Sequence, residues 1–266
     1  MKTLSDVRCF LLDMDGTFYL GDQLIDGSLD FIKAVVDSGR DYLFLTNNSS
    51  HNAAHYVKKL AKMGLSVSRD KVLTSGQATA VKMNELYPGK KAFVLGNEFL
   101  FEELAEYGVS IDQERPDYVI IGYDTTLDYA KMTAVCDFVR AGLPYIATHP
   151  DFNCPTETGF APDIGAIIAF IEASTGRRPD LIIGKPYVGI VEAALKRTGL
   201  RADQLAMVGD RLYTDIETGL QHGMTAILVM SGETTEAMLA ASETVPDLKY
   251  GRLADMIPEL MEKKVD

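Results

Sequence analysis

The sequence predicts an α/β fold in which a second α/β domain is inserted into a core built on a largely parallel sheet. Short apolar runs alternate with helical patterns along nearly the whole chain, as they do in βαβ units. Polar residues follow four of these runs, in two groups separated by roughly 135 residues that contain strands and helices of their own. We expect residues 1–79 and 180–266 to form the core and residues 80–179 to form the insertion.

Each predicted strand is an apolar run that ends at or near a polar residue or a glycine. The predicted strands span residues 7–13, 41–47, 91–96, 117–123, 144–148, 181–184, 205–210 and 225–230. Two intervening segments carry apolar residues at helical spacing and end in glycine. This pattern predicts helices over residues 28–39 and 50–64, the second of them capped by Ser50.

Composition and charge exclude several classes of protein. With 47% apolar and 24% charged residues, the chain has the composition of a globular protein rather than a disordered one. Its formal net charge of −12 argues against nucleic acid or an anionic membrane as a partner, because both select clustered Lys and Arg. The three cysteines have no C-x-x-C spacing, and we find neither a membrane span nor a signal peptide. We therefore expect a soluble, cytoplasmic protein.

The first strand runs into two carboxylates in the stretch FLLDMDGTFYL, residues 10–20. Asp13 and Asp15 have i, i+2 spacing, which places both side chains on one side of an extended chain. Like charges this close favour a nearby cation or a reaction that uses them. Asp210 and Asp215 follow a later strand, and the carboxyl ends of parallel strands meet at one edge of a sheet. The four carboxylates therefore predict the hard oxygen ligands that Mg²⁺ prefers.

A complementary set of hydrogen-bond donors follows two other strands. Thr46 and Asn47 end the second strand, and Lys185 follows the sixth. One positive charge with short donors suits an anion that has several oxygens, such as phosphate. Gly16 lets backbone amides approach such a group closely. Since an Asp beside a metal can act as a nucleophile, the two sets together predict phosphoryl chemistry.

Four segments in order resemble the four motifs of the haloacid dehalogenase (HAD) superfamily: DMDGT (13–17), LTNNSS (45–50), GKP (184–186) and GDRLYTD (209–215). The D-x-D-G-T form is similar to that of the phosphatases of the superfamily. The segment ATHPDFNCPTETG (147–159) resembles the type IIA cap of the NagD and para-nitrophenyl phosphatase branch. The resemblance covers essentially the whole chain and implies a Rossmann-like, HAD-like parallel sheet core with an inserted α/β cap domain.

This resemblance implies a Mg²⁺-dependent phosphomonoester hydrolase. Asp13 would be the nucleophile that takes the phosphoryl group as an acyl phosphate, and Asp15 would protonate the leaving alcohol and then activate water. Thr46 and Asn47 would hold phosphoryl oxygens, and Lys185 would neutralise negative charge. The implied metal ligands are Asp13, the backbone carbonyl of Asp15, Asp210 and, directly or through water, Asp215.

The resemblance assigns the choice of substrate to the cap loop, residues 149–160. His149, Phe152 and Asn153 offer an aromatic face and two hydrogen-bonding groups. For His149, a structural hydrogen bond is an equal alternative to a substrate contact. The substrate stays open among small phosphorylated metabolites such as nucleotide monophosphates and sugar phosphates, with para-nitrophenyl phosphate as a generic substrate. Caps of this branch often dimerise, so a homodimer through the cap is one expected assembly.

Three other functions share parts of this pattern. A phosphotransferase or phosphomutase would use the same aspartyl-phosphate, but mutases of the superfamily generally carry a smaller cap at a different position. A receiver-like signalling module also accepts a phosphoryl group on Asp, yet it needs no insertion between its Thr and its Lys. A nucleotide-binding Rossmann module would need G-x-G-x-x-G after the first strand, which this chain lacks. Hydrolysis is therefore the expected reaction.

Overall fold

A computed structural model describes residues 2–156 and 159–262 of the chain. The chain divides into two compact units. The first unit comprises Met1–Leu45, Val57–Leu73 and Ala194–Asp266. Both units are α/β in architecture, and each has its own sheet.

The described residues form strands, helices and a few shorter helical segments. The strands are β1 (Cys9–Leu12), β2 (Tyr19–Leu20), β3 (Gln23–Leu24), β4 (Asp41–Thr46), β5 (Val72–Thr74), β6 (Lys91–Leu95), β7 (Ser110–Ile111), β8 (Tyr118–Ile121), β9 (Tyr145–Ala147), β10 (Asn153–Thr156), β11 (Gly159–Pro162), β12 (Leu181–Ile182), β13 (Leu205–Gly209), β14 (Thr225–Val229) and β15 (Leu248–Tyr250). The α-helices are α1 (Ser28–Asp37), α2 (Ala53–Lys62), α3 (Ser75–Leu86), α4 (Glu98–Glu106), α5 (Tyr129–Arg140), α6 (Ile164–Thr175), α7 (Val188–Thr198), α8 (Glu217–Gln221), α9 (Glu236–Ala241) and α10 (Ile257–Glu262). A π-helical segment spans Leu212–Ile216, and 3₁₀ turns span Leu4–Asp6, Arg69–Lys71, Ala202–Gln204 and Leu253–Met256.

The first unit is built on a six-stranded sheet of order β15-β14-β13-β1-β4-β5. Strand β1 lies between β13 and β4 and runs parallel to both. Every residue of β1 and of β13 is buried, as expected for central parallel strands that are covered on both faces. Phe10 of β1 packs edge-on against Phe31 of α1, with ring centroids 5.6 Å apart. Because β1 and β13 pair in parallel at the centre of the sheet, their carboxyl ends lie side by side.

The two predicted helices form, but the start of the second differs from the prediction. Helix α2 begins at Ala53, and Asn52 Oδ1 accepts a hydrogen bond from the backbone N–H of His55 at 3.0 Å. Asn52 therefore caps the helix in place of Ser50. The Ser50 N–H instead donates to Asn48 Oδ1 at 2.8 Å, so that Ser50 belongs to a local turn before the helix.

The second unit, Thr46–Tyr56 and Thr74–Ala193, is built on a five-stranded sheet of order β12-β9-β8-β6-β7. All neighbouring strands of this sheet pair in parallel. Helices α5 and α6 bury Val135 and Ile171 in one core with Val119 of β8. An antiparallel hairpin, β10–β11, precedes α6.

The second unit is larger than the predicted insertion. Residues 80–179 lie within it, but it continues to Ala193 because β12 pairs with β9 in the same sheet. The predicted boundary at residue 180 falls one residue before that strand. Residues Thr46–Tyr56 also belong to this unit. Within them, the N–H of Ala53 donates to Glu103 Oε1 at 2.9 Å.

The α/β class and all eight predicted strands are confirmed, each strand shorter than predicted by one or two residues at one or both ends. The prediction did not include β5, β7, β15 or the hairpins β2–β3 and β10–β11. Those strands have only two to four residues, too few to show an apolar periodicity. Within the described ranges, no helix combines the length and the apolar character that a membrane crossing requires.

Candidate active site

Two adjacent strands of the first unit are followed by carboxylates that form a cluster. The N–H of Asp13 donates to the carbonyl oxygen of Val208 at 2.9 Å, which continues the β1–β13 ladder beyond β1. Asp210 follows β13 directly, and Asp215 lies in the π-helical segment. One carboxylate oxygen from each of Asp13, Asp210 and Asp215 lies within 4.8 Å of those of the other two. We call these three residues the acidic triad.

Backbone and hydroxyl donors fix the Asp210 side chain. Its Oδ2 accepts from the N–H of Glu233 at 2.7 Å, and its Oδ1 accepts from Thr17 Oγ1 at 3.3 Å. Gly16 has φ of +84°, and a Cβ built there would lie 2.4 Å from Asp210 Oδ2. Only glycine tolerates both this backbone conformation and this close approach. The loop after β1 is therefore shaped around the triad.

Burial and like charges make the acidic triad electrostatically costly. Burial, reinforced by the charges of Asp13 and Asp215, raises the pKa of Asp210 to about 7. Arg211 lies next to the cluster, and its Nε is 3.0 Å from Glu233 Oε2 in an ion pair without hydrogen-bond geometry. Burial opposes the charged form of Arg211, but the negative charges of the triad outweigh it and raise its pKa. A further cation would relieve the remaining repulsion, which is the situation that a metal site provides.

Asp15 differs from Asp13 in its surroundings. Its side chain keeps solvent exposure, yet partial burial of the carboxyl, together with the negative charge on Asp13, raises its pKa. The positive charges of Lys59 and Arg211 oppose this shift without cancelling it. Asp15 therefore holds its proton to a higher pH than an ordinary Asp, which suits a proton donor.

The second unit brings together Asn47 and Lys185, two of the predicted phosphate-binding residues. Lys185 is 2% exposed and Asn47 is 6% exposed. The Asn47 side chain accepts from the backbone N–H of Lys185 at 2.7 Å and donates to the backbone carbonyl of Lys185 at 3.0 Å. Thr46 is also buried, and its hydroxyl accepts from the N–H of Asn48 at 3.1 Å.

His149 makes structural hydrogen bonds within the second unit. It is fully buried, its Nε2 lies 3.0 Å from Asp163 Oδ1, and its Nδ1 lies 3.1 Å from Thr148 Oγ1. Burial lowers the pKa of His149, but the Asp163 carboxylate outweighs it and raises the pKa overall. Of the two alternatives for His149, this arrangement favours the structural hydrogen bond, because neither ring nitrogen is exposed to a ligand.

The other two predicted cap residues are exposed. Phe152 is 63% exposed, and Asn153, which begins β10, is exposed as well. Between them and His149, the carboxylate of Asp151 accepts from Asn47 Nδ2 at 3.2 and 3.3 Å. The loop thus presents an aromatic ring and an amide to solvent while Asp151 anchors its start.

Sequence reasoning missed Arg211, Asp151 and Asp163. Arg211 and Asp151 lie inside segments already singled out for the resemblance, so their ionisable side chains were a usable signal. Asp163 precedes an apolar helical run and accepts from the N–H of Ile164 at 2.6 Å, which is the pattern of a helix N-cap. Its bond to His149 had no signal, because the hairpin β10–β11 lies between the two residues in sequence and was not predicted.

Comparison with known proteins covers nearly the whole chain. Residues 10–110 match the family model of haloacid dehalogenase-like hydrolases, and residues 182–256 match a HAD-hydrolase-like model. An acid sugar phosphatase of Staphylococcus epidermidis is 36% identical over 254 residues, which are 95% of this chain and 98% of that protein.

Solved structures agree with these matches. A crystal structure of a 4-nitrophenylphosphatase from Thermotoga maritima is 45% identical, with a TM-score of 0.94 over 97% of this chain and 99% of its own. NagD from Escherichia coli K-12 is 32% identical, with a TM-score of 0.87 over 94% of this chain and 98% of its own. The chain therefore belongs to the haloacid dehalogenase superfamily, in the branch of NagD and the para-nitrophenyl phosphatases, and is a phosphatase.

Proposed function

We propose that this phosphatase is a Mg²⁺-dependent hydrolase of small phosphomonoesters that acts through an aspartyl-phosphate on Asp13. The observation that supports this most is the acidic triad, in which three carboxylates lie together beyond two adjacent parallel strands. The relatives named as an acid sugar phosphatase and a 4-nitrophenylphosphatase support a sugar phosphate or a similar small metabolite as substrate, with para-nitrophenyl phosphate as a generic one.

The donor set of the triad fits Mg²⁺. Asp13, Asp210 and Asp215 supply hard oxygen atoms, and the raised pKa of Asp210 reflects negative charge that a divalent cation would offset. Asp13 and Asp210 would bind the metal, together with the backbone carbonyl of Asp15, and Asp215 would bind it directly or through water. Once bound, Mg²⁺ would supply charge stabilisation for the phosphoryl oxygens.

The reaction has two steps at phosphorus. In the first, a carboxylate oxygen of Asp13 bonds to phosphorus while the bond to the ester oxygen breaks, and Asp15 donates its proton to the leaving alcohol. In the second, the Asp15 carboxylate takes a proton from water, whose oxygen bonds to phosphorus while the bond between phosphorus and the Asp13 oxygen breaks, so that inorganic phosphate is released. Asp13 is regenerated, and the raised pKa of Asp15 supports its role as the acid of the first step.

The phosphoryl group and the leaving group would meet different residues. Resemblance assigns Thr46, Asn47 and Lys185 to the phosphoryl group, and burial makes the charge of Lys185 more effective than it would be in water. We propose that residues 80–179 act as the cap and that Phe152 and Asn153 contact the leaving group. Their exposure supports this role, whereas His149 has no exposed atom to offer.

Metal removal and replacement test this proposal. Turnover of para-nitrophenyl phosphate should vanish after treatment with EDTA and return when Mg²⁺ is added in excess. Asp210→Asn should weaken the activation by Mg²⁺, since it removes one charge from the triad. Asp203→Asn is the control and should leave the activation unchanged, because Asp203 is an exposed carboxylate of the same unit that pairs with Arg201. Full activity after exhaustive chelation would overturn the metal assignment.

A further inference from the structure

We infer that the Asn47 side chain is a positioning group and does not make the contact to the phosphoryl group that the resemblance implies for it. It holds Lys185 and ties it to the cap loop at Asp151. This inference rests on the proposed function, because that function gives Lys185 its part in the reaction. It concerns contacts that all lie within the second unit.

The Asn47 amide has little hydrogen-bonding capacity left for a ligand. Its Oδ1 accepts from the N–H of Lys185 at 2.7 Å, and its Nδ2 donates to the carbonyl oxygen of Lys185 at 3.0 Å. The same Nδ2 donates to the Asp151 carboxylate at 3.2 and 3.3 Å. An Asn side chain has two N–H donors, and both have partners here. A phosphoryl oxygen would have to displace one of them.

Burial and close packing keep this arrangement in place. Both Asn47 and Lys185 are more than nine-tenths buried, and an unpaired polar group at such a position destabilises the fold. A Cβ built on Gly184 would lie 2.6 Å from Asn47 Oδ1 and 2.7 Å from the carbonyl oxygen of Thr148. The absence of a side chain at Gly184 thus lets the segment that carries Lys185 approach the Asn47 amide.

These contacts fix the backbone of Lys185 on both sides of its Cα, at the N–H and at the carbonyl oxygen. Its N–H and its carbonyl oxygen are both bonded to one side chain, so the Cα of Lys185, from which its side chain extends, is held in place. A charge held in place before the reaction stabilises a transition state without a cost of reorganisation. Because the same amide binds Asp151, Asn47 also places the start of the cap loop relative to Lys185.

A double-mutant cycle tests whether Asn47 acts through Lys185. The variants are Asn47→Ala, Lys185→Met and the double variant, with kcat and KM measured for para-nitrophenyl phosphate. We expect Asn47→Ala to lower kcat/KM about 10- to 100-fold, mostly through kcat, since a small misplacement of a catalytic group costs up to about 10²-fold. In the Lys185→Met background the same change should cost less than about threefold, because coupled residues are not additive. Losses that multiply would overturn the inference.

Control variants separate this outcome from a general loss of structure. Asn84→Ala removes another amide of the second unit, one that donates to the carbonyl oxygen of Tyr107 at 2.7 Å, and should leave kcat/KM unchanged. Circular dichroism and thermal unfolding report whether each variant folds. A Lys185→Met variant with full activity would overturn the proposed role of Lys185 and this inference with it. A large Lys185→Met loss with multiplying effects would overturn this inference alone.

A charge-swapped pair provides a second test if Asn47→Ala does not fold. Asn47→Asp keeps the size of the side chain but removes both donors and places a carboxylate against Asp151. We expect it to lose at least as much activity as Asn47→Ala. Adding Asp151→Asn supplies an amide donor to the new carboxylate and should restore activity at least fivefold. An Asp151→Asn change that gives no recovery in this background would contradict the link to the cap loop.

Discussion

Asp13 and Asp15 are two residues apart, yet their environments differ. The i, i+2 spacing predicts a shared side of the chain, but it does not reveal which carboxyl is ionised. Asp13 joins Asp210 and Asp215 in the triad, whereas Asp15 has an exposed side chain and a raised pKa. Two neighbouring carboxyl groups in unlike environments are typical of an acid and a nucleophile that work together.

Replacement of Asp15 should depend on the leaving group. Asp15→Asn removes the proton donor and should lower kcat by about 10²–10⁴ for a sugar phosphate. Nitrophenolate is a good leaving group that needs less protonation, so the loss in the first step should be smaller for para-nitrophenyl phosphate. The measurement is pre-steady-state release of the alcohol from both substrates, and equal losses would contradict the acid role.

At the residue scale, the sequence indicated which side chains lie together, but not the environment of each one. Motif spacing predicted that the carboxylates of Asp13, Asp210 and Asp215 lie together, as they do in the structure, and the roles assigned to them and to Asp15 stay predictions. It left His149 undecided, since its partner Asp163 lies on another element. Burial depends on packing between distant segments, which no local pattern encodes.

At the scale of elements, strand adjacency makes the triad. Strands β1 and β13 are nearly 200 residues apart in sequence, and their parallel pairing, Leu12 opposite Val208, brings Asp13 beside Asp210. The rule that ligands bind beyond the carboxyl ends of parallel strands predicted this. The hairpin β10–β11 was not predicted, since its residues are mostly exposed and lack the alternation of a half-buried strand.

The cap loop before β10 should affect large leaving groups more than small ones. Phe152→Ala removes the exposed ring, and we expect kcat/KM for the best sugar phosphate to fall about 10- to 200-fold. This corresponds to the roughly 1–3 kcal/mol that one pocket contact usually contributes. The loss for para-nitrophenyl phosphate should be smaller because it makes fewer contacts.

Tyr129→Ala serves as the matched control, because it removes an aromatic side chain that is 81% exposed on α5. It should leave kcat/KM unchanged for both substrates. Phe152→Ala losses that are equal for the two substrates, or absent from both, would show that the loop does not set specificity.

At the scale of the whole molecule, the sequence predicted two α/β parts but not their limits. The insertion was inferred from the number of residues between the two groups of motifs. That number does not indicate which sheet a short flanking strand joins. Strand β12 has only two residues and pairs with β9. Thr46–Tyr56 belongs to the second unit, and its contacts there, such as the bond of the Asn47 side chain to Lys185, are not displayed by a sequence pattern.

The stability of the metal-free chain should depend on pH through Asp210. The folded state raises the pKa of Asp210 from 3.8 to about 7, so between these values the unfolded chain has released a proton that the folded chain still holds. Stability from this group is therefore complete below about pH 4 and is lost as the pH rises to about 7. In EDTA, the Tm of the wild type should fall relative to that of Asp210→Asn over this range. A constant difference would contradict the assigned shift.

Covalent phosphorylation of Asp13 is tested most directly by trapping the aspartyl-phosphate. The Asp15→Asn variant should hydrolyse the aspartyl-phosphate slowly, because it lacks the base that activates water. The intermediate should still form from para-nitrophenyl phosphate, because nitrophenolate is a good leaving group. When Asp15→Asn is quenched with acid during turnover with Mg²⁺, peptide mass spectrometry should find a phosphoryl group on Asp13. The same peptide of the Asp13→Asn variant should carry none. Continued turnover with Asp13→Asn, or a phosphoryl group on a different residue, would contradict the account.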